Sequence, residues 1–196
     1  MARPLRILAL HGWTANASRL AERIGPIVEE CGAGCHFVFL DGPHVIEPPP
    51  GQEPGLPNQR SWWDTKHGFG KMEGFDKTMH QGAGMTAILT AIFEQPEVAK
   101  KFGLEHNGSV VHKPFNFSIM FSGRQGIQTR SLHVIGKSDQ AVPPHISVEL
   151  SSYFTGGRVE YHLGGHEVPT TKEWTKFLQS WLLDKASNNS LVPSHP

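Results

Sequence analysis

Asp139 and His166 are the residues of this chain whose types and surroundings best suit proton transfer. Asp139 follows the apolar run Ser131-Leu-His-Val-Ile-Gly136 and the turn Lys137-Ser138, while His166 follows Arg158-Val-Glu-Tyr-His-Leu163 and two glycines. Each run reads as a strand. Both polar side chains would therefore stand just beyond the carboxyl ends of strands, where an open parallel sheet presents its ligands. A carboxylate beside an imidazole holds its tautomer and stabilises the imidazolium formed when the ring takes a proton from a nucleophile, which is acyl-transfer chemistry. Upstream, Gln81-Gly82-Ala83-Gly84 has the make-up of the tight turn that follows such a nucleophile, and Arg6-Ile-Leu-Ala-Leu10 runs as a buried strand into His11-Gly12-Trp13-Thr14. The backbone N–H groups of Trp13 and Gln81 would be the pair that faces a developing oxyanion. The residue in front of Gln81 is His80, where a serine is required.

These groups need a scaffold, and strand and helix patterns alternate along the chain in the manner of an α/β domain. Residues Asn16 to Glu30 have apolar positions at Leu20, Ile24, Ile27 and Val28, with Pro26 bending or restarting that helix. Phe37-Val-Phe-Leu40 is the second strand. Pro43 to Asn58 is rich in proline and glycine and reads as a long surface loop that ends at Ser61-Trp62-Trp63. Gly84 to Phe93 reads as an apolar helix ended by Pro96, and its first amides would face the oxyanion. Phe115 to Phe121 reads as a core strand, and Trp174, Phe177, Leu178, Trp181 and Leu182 share one face of a closing helix. A single domain is expected over 1–185, followed by a flexible tail at 186–196, with no internal repeat.

The order of nucleophile turn, acid and histidine is that of the α/β-hydrolase fold, a mostly parallel sheet with helices on both faces. The chain also resembles the FSH family of serine hydrolases. The resemblance rests on His11-Gly12-Trp13-Thr14, Asp41-Gly-Pro43, Ser61-Trp62-Trp63, Gln81-Gly82-Ala83, Phe121-Ser122-Gly123, His133-Val-Ile-Gly136, Asp139 with Val142-Pro143, and Gly164-Gly165-His166 with Val168-Pro169. It runs from Arg6 to about Leu183. Fungal members include esterases and thioesterases of polyketide pathways, such as the type that releases the lovastatin precursor. The resemblance implies an acyl ester or carrier-bound thioester as substrate, a polyketide synthase carrier domain as a partner, and no cofactor.

The family's elbow reads Gly-Phe-Ser-Gln-Gly-Ala, and this chain departs from it in one of two ways. If Gly74-Phe75-Asp76 precedes the nucleophile strand, His80 simply replaces the serine. If Glu73 to Met79 instead begins an earlier helix, a block is missing between Met79 and Gln81. The short distance from Trp63 to His80 favours the second alignment, in which the rest of a helix, a central strand and the serine are lost. A central parallel strand is buried on both faces and paired on both edges, so its loss is severe. The fold is thus expected to lack part of the region around the nucleophile strand. The competing functional reading is a pseudoenzyme that binds a ligand or a synthase partner without turnover.

Simpler readings exist for each residue taken alone. Asp139 could be a turn residue before Pro143, and His166 a loop histidine. Trp62 and Trp63 suit packing, and His80 is a junction residue. Ser122 is a strand-end residue and no substitute nucleophile. Gly82-Ala83-Gly84-Met85-Thr86-Ala87 matches a dinucleotide fingerprint, but Lys77-Thr78-Met79 is a poor strand to precede it. Eighteen basic and eighteen acidic residues are interspersed and sum to no net charge, which argues against nucleic acid. No apolar run suits a signal or a bilayer span, so a cytoplasmic location is expected and the Asn-x-Ser sequons at Asn16, Asn107, Asn116 and Asn189 carry little weight. Twelve histidines form no metal motif. Cys31 and Cys35 are expected to be reduced and structural.

Overall fold

The computed structural model describes residues 4–46, 57–62, 86, 89–90, 94, 105–106, 109–110, 118–120, 129–152 and 154–187. Its first unit is a parallel pair, β1 (Leu5–Leu10) and β2 (Cys35–Leu40), in register from Leu5 opposite Cys35 to Leu10 opposite Leu40. Parallel neighbours need a crossover, and α1 (Ala17–Arg23) with α2 (Gly25–Cys31) provides it. Asn16 caps α1, its side-chain oxygen accepting from the Arg19 amide at 2.9 Å. Pro26 sits in the first turn of α2, where its missing N–H costs nothing. The helix expected over 16–30 is therefore two, broken at Ile24.

A short 3-10 turn, Gly32–Gly34, leads from α2 into β2. Gly34 approaches the C-terminal helix so closely that a Cβ there would lie 3.0 Å from a Leu183 methyl. The free thiols of Cys31 and Cys35 flank this turn, and burial, reinforced by the neighbouring Cys35, pushes the Cys31 thiol up to about 12. β2 begins at Cys35, before the expected Phe37, because Cys35, Phe37 and Phe39 all pack on the core face.

The second parallel unit is β7 (Ser118–Met120), β8 (Ser131–Gly136) and β9 (Arg158–His162), in the order β7-β8-β9. α3 (Pro144–Ser151) joins β8 to β9, and α4 (Lys172–Ser187) closes the chain. α4 runs through Ala186 and Ser187, two residues into the expected tail, and residues 188–196 lie outside the description. Two-residue antiparallel ladders occur as β3 (His44–Val45) with β4 (Arg60–Ser61) and as β5 (Glu105–His106) with β6 (Ser109–Val110). The first of these lies partly within the expected surface loop; the strand ends were hidden there by the prolines between them.

Every residue of β8 is buried. Leu132 and Val134 face a core built with Ile24, Ile27, Cys31, Leu178, Trp181 and Leu182, against which Leu5, Ile7, Phe37 and Phe39 also pack. Three of the five aromatic and aliphatic positions expected on the face of α4 (Leu178, Trp181 and Leu182) are buried in this core, and Trp174 and Phe177 lie at its edge. On the other face of β8, Ser131 Oγ and His133 Nε2 share a hydrogen bond of 2.9 Å, and the His133 ring meets Phe154 edge-on with centroids 4.8 Å apart. Burial pushes the His133 pKa down to about 4. Among the described residues, His133 Nδ1 has no hydrogen-bond partner.

Candidate active site

The turn after β8 sets the acid. Asp139 Oδ1 accepts from the amides of Ala141 and Val142 at 2.9 and 2.8 Å. With that oxygen clamped by the backbone, Oδ2 is turned toward the loop after β9. There it meets His166 Nδ1 at 2.9 Å. The Asp139 side chain is 7% exposed and that of His166 is 43% exposed, so a largely buried carboxylate holds a ring that remains open to solvent. Such a contact places the proton of a neutral imidazole on Nδ1 and directs Nε2 away from the carboxylate, the arrangement a general base needs.

The two turns are moored to each other. The Lys137 amide donates to His162 O at 2.8 Å and the Ser138 amide to Gly164 O at 3.1 Å. Ser138 Oγ donates to Leu163 O, also at 3.1 Å. Gly136 is indispensable to this approach, because a Cβ at that position would lie 2.2 Å from Gly165 O and 2.8 Å from Gly164 O.

The loop after β1 is fixed by a residue whose role the motif alone does not disclose. His11 is fully buried. Its Nε2 accepts from the Gly42 amide at 2.9 Å, which leaves the ring proton on Nδ1, placed 2.7 Å from Gly12 O. Trp62 Nε1 donates to His11 O at 2.8 Å, and the two rings lie 5.0 Å apart. Gly42 must be glycine because a Cβ would fall 2.4 Å from Ser61 O. Trp13 is in the turn that follows, and Thr14 has a left-handed φ of 56°, a costly conformation for a β-branched residue. The Arg60 amide donates to Ala15 O at 2.9 Å and pins the end of this turn to β4.

Asp139 and His166 are thus in contact, and Trp13 lies in the turn beyond β1. His80 and Gln81 lie outside the described residues, as does Trp63. Of the helix expected over 84–93, Thr86, Leu89 and Thr90 are described and helical, as is Glu94 beyond it. Glu94 Oε2 accepts from both the amide and the hydroxyl of Thr129, at 2.9 and 2.8 Å, which ties that helix to the start of β8. Among the described residues no group of His, Cys, Asp and Glu is gathered in a way that could hold a metal ion. No described helix is long and apolar enough to cross a membrane.

Comparison with known proteins agrees with this geometry. An esterase of Anopheles gambiae is 30% identical over 193 residues, spanning 84% of this chain and 72% of its own length. An esterase of Aedes aegypti is 29% identical over 199 residues, spanning 84% and 70%. The esterase OVCA2 of Danio rerio is 26% identical over 233 residues, spanning 91% and 96%. Among solved structures, a variant of SOBER1 from Arabidopsis thaliana superposes with a TM-score of 0.51 at 16% identity, covering 93% of this chain and 99% of that one. Esterase PE8 gives a TM-score of 0.50 at 17% identity, with 93% of each chain covered. The fold is that of the α/β-hydrolases. The profile of the family described as Serine hydrolase (FSH1) matches residues 1–80 and, resuming, 80–178. With that match spanning most of its length, the chain belongs to the FSH1 serine hydrolase family.

Proposed function

We infer that the chain carries the acid and base half of an ester- or thioester-cleaving site whose serine is absent from the sequence. The observation that carries this reading is the Asp139 Oδ2 to His166 Nδ1 contact at 2.9 Å, with Asp139 Oδ1 held by backbone amides. In the complete reaction, His166 Nε2 takes the proton of a serine hydroxyl as its oxygen attacks the acyl carbon. The imidazolium, stabilised by Asp139, then gives that proton to the departing alkoxide or thiolate, and a water repeats the cycle to free the acid. The amides of Trp13 and Gln81 hold the oxyanion. The substrate class is a small acyl ester or an acyl chain delivered as a thioester by a carrier domain, as in polyketide assembly, in a cytoplasmic setting and without a cofactor.

Two observations support a lost block in place of a simple substitution. The family match ends and resumes at residue 80. The OVCA2 relative is aligned over 233 positions using 91% of a chain of 196 residues, so several tens of those positions have no counterpart here. His80 in front of Gln81 favours the second reading for this chain as it stands, a pseudoenzyme that retains ligand binding. A fluorophosphonate probe decides between them. Covalent labelling abolished by His166→Ala would establish a working nucleophile and reject the pseudoenzyme. Absence of labelling together with saturable binding of an acyl thioester would reject turnover. His80→Ser is expected to remain unlabelled if the strand is missing with the serine, and full labelling would refute the lost block.

A further inference from the structure

Arg60 is a buried donor without an acceptor. Its Nε is shielded from solvent and, among the described residues, has no hydrogen-bond partner. The ion pairs among the described residues join Arg158 to Glu160 and His166 to Asp139, and neither reaches Arg60. The cation seated over an aromatic ring, on Phe177, is likewise Arg158. A buried N–H of a charged group that lacks an acceptor is costly, and a fold that keeps one has a use for it, such as a ligand that completes the bond.

The backbone presents this side chain from a fixed frame. Arg60 lies in β4 opposite Val45, and its other edge bridges to Ala15. Just before it, Gln59 O accepts from the Ile46 amide at 2.9 Å and Asn58 O from the Asn16 side chain at 3.0 Å. Just after it, Trp62 Nε1 donates to His11 O. The segment 58–62 therefore runs along the end of β1, and Ala15 is only two residues past Trp13. Arg60 thus stands beside the turn assigned to the oxyanion. The residue as a whole is only part-buried, so a ligand can reach it from solvent. A guanidinium is always charged, and its planar fork of N–H donors matches a carboxylate or a phosphate.

We propose that Arg60 is a specificity-determining residue that binds an oxyanion carried by the substrate, either a carboxylate on the acyl chain or the phosphate of a phosphopantetheine thioester. This rests on reading the site as one that takes acyl esters or thioesters.

The experiment is calorimetric titration of the full chain with three thioesters that differ in where they carry charge, and it requires no nucleophile. Butanoyl-pantetheine is neutral, succinyl-pantetheine has a carboxylate on the acyl chain, and butanoyl-phosphopantetheine has a phosphate on the thiol side. At least one charged thioester is expected to bind about tenfold or more tightly than the neutral one. Which of them does so names the source of the oxyanion. Arg60→Met keeps a buried apolar stem and removes the donors, and should erase the preference. Arg60→Lys keeps the charge without the fork, and should retain part of it. Far-UV circular dichroism of both variants should match the wild type. Equal binding of all three thioesters by the wild-type chain, or a preference that survives in Arg60→Met, overturns the role of Arg60 and leaves the acyl site standing. Binding of none of the three removes the thioester reading, and the role of Arg60 falls with it.

Discussion

His133 makes the stability of this chain sensitive to mild acid, and the size of the effect follows from its burial. The residue is 1% exposed, Nε2 is engaged with Ser131 Oγ, and Nδ1 has no partner among the described residues. Desolvation pushes its folded pKa from 6.5 down to about 4. The folded state therefore binds fewer protons than the unfolded chain between those values. The contribution to stability is fully present above the unfolded pKa and drains away as the pH falls toward the folded one. At about 1.4 kcal/mol per pKa unit, the limiting loss is roughly 3 kcal/mol, of which about 2 kcal/mol disappears between pH 7 and pH 5.

His133→Phe isolates this effect. At pH 7 the variant forfeits the bond to Ser131, worth about 1 kcal/mol, but also removes an unpartnered buried nitrogen that costs about 1–3 kcal/mol, so its stability should lie near that of the wild type. Urea unfolding of both proteins at pH 7, 6 and 5 gives the comparison. The wild type should lose about 2 kcal/mol more than the variant over that range. Parallel declines would refute the reasoning, since they would mean that His133 titrates alike in both states.

Other outcomes follow from single contacts. Asn16→Ala removes the cap of α1 and the Asn16 side-chain bond to Asn58 O, and should lower stability by about 1 kcal/mol in thermal or urea unfolding. Leu132→Ala, at a fully buried position in the shared core, should cost about 2–5 kcal/mol by the same measurement. Gly136→Ala should cost about 1–3 kcal/mol, because the backbone of the Gly164–Gly165 turn must withdraw from the new methyl. With its pKa pushed up to about 12, Cys31 should be alkylated by iodoacetamide at pH 8 far more slowly in the native chain than in urea, only about one thiol in ten thousand being ionised.

The strands of the site and its two principal side chains were legible because they depend on local pattern. Six residues of β8 read as a strand from their apolar content, and Asp139 and His166 were marked by following strands and turns. The remaining features depend on partners distant in sequence. Nothing near His11 indicates that Gly42 and Trp62, more than thirty and fifty positions away, hold its ring and carbonyl. Gly136 looks like an ordinary strand end until the Gly164–Gly165 turn is set against it. The break at Ile24 was half legible, since Pro26 announced a disturbance without fixing its place.

The contacts that set Asp139 against His166 are local to the turns after β8 and β9. Among the described residues β1 pairs with β2, and β7 pairs with β8. Leu8 and Leu40 are 41% and 44% exposed, whereas every residue of β8 is buried. A strand inside a parallel sheet is covered on both faces, and β1 is not covered in that way. The Asp139 clamp, its bond to His166 and the bonds between the two turns begin and end between residues 136 and 166, on adjacent strands. Geometry that closes over neighbouring strands does not depend on strands distant in the sheet, which is why local sequence pattern alone could mark both residues.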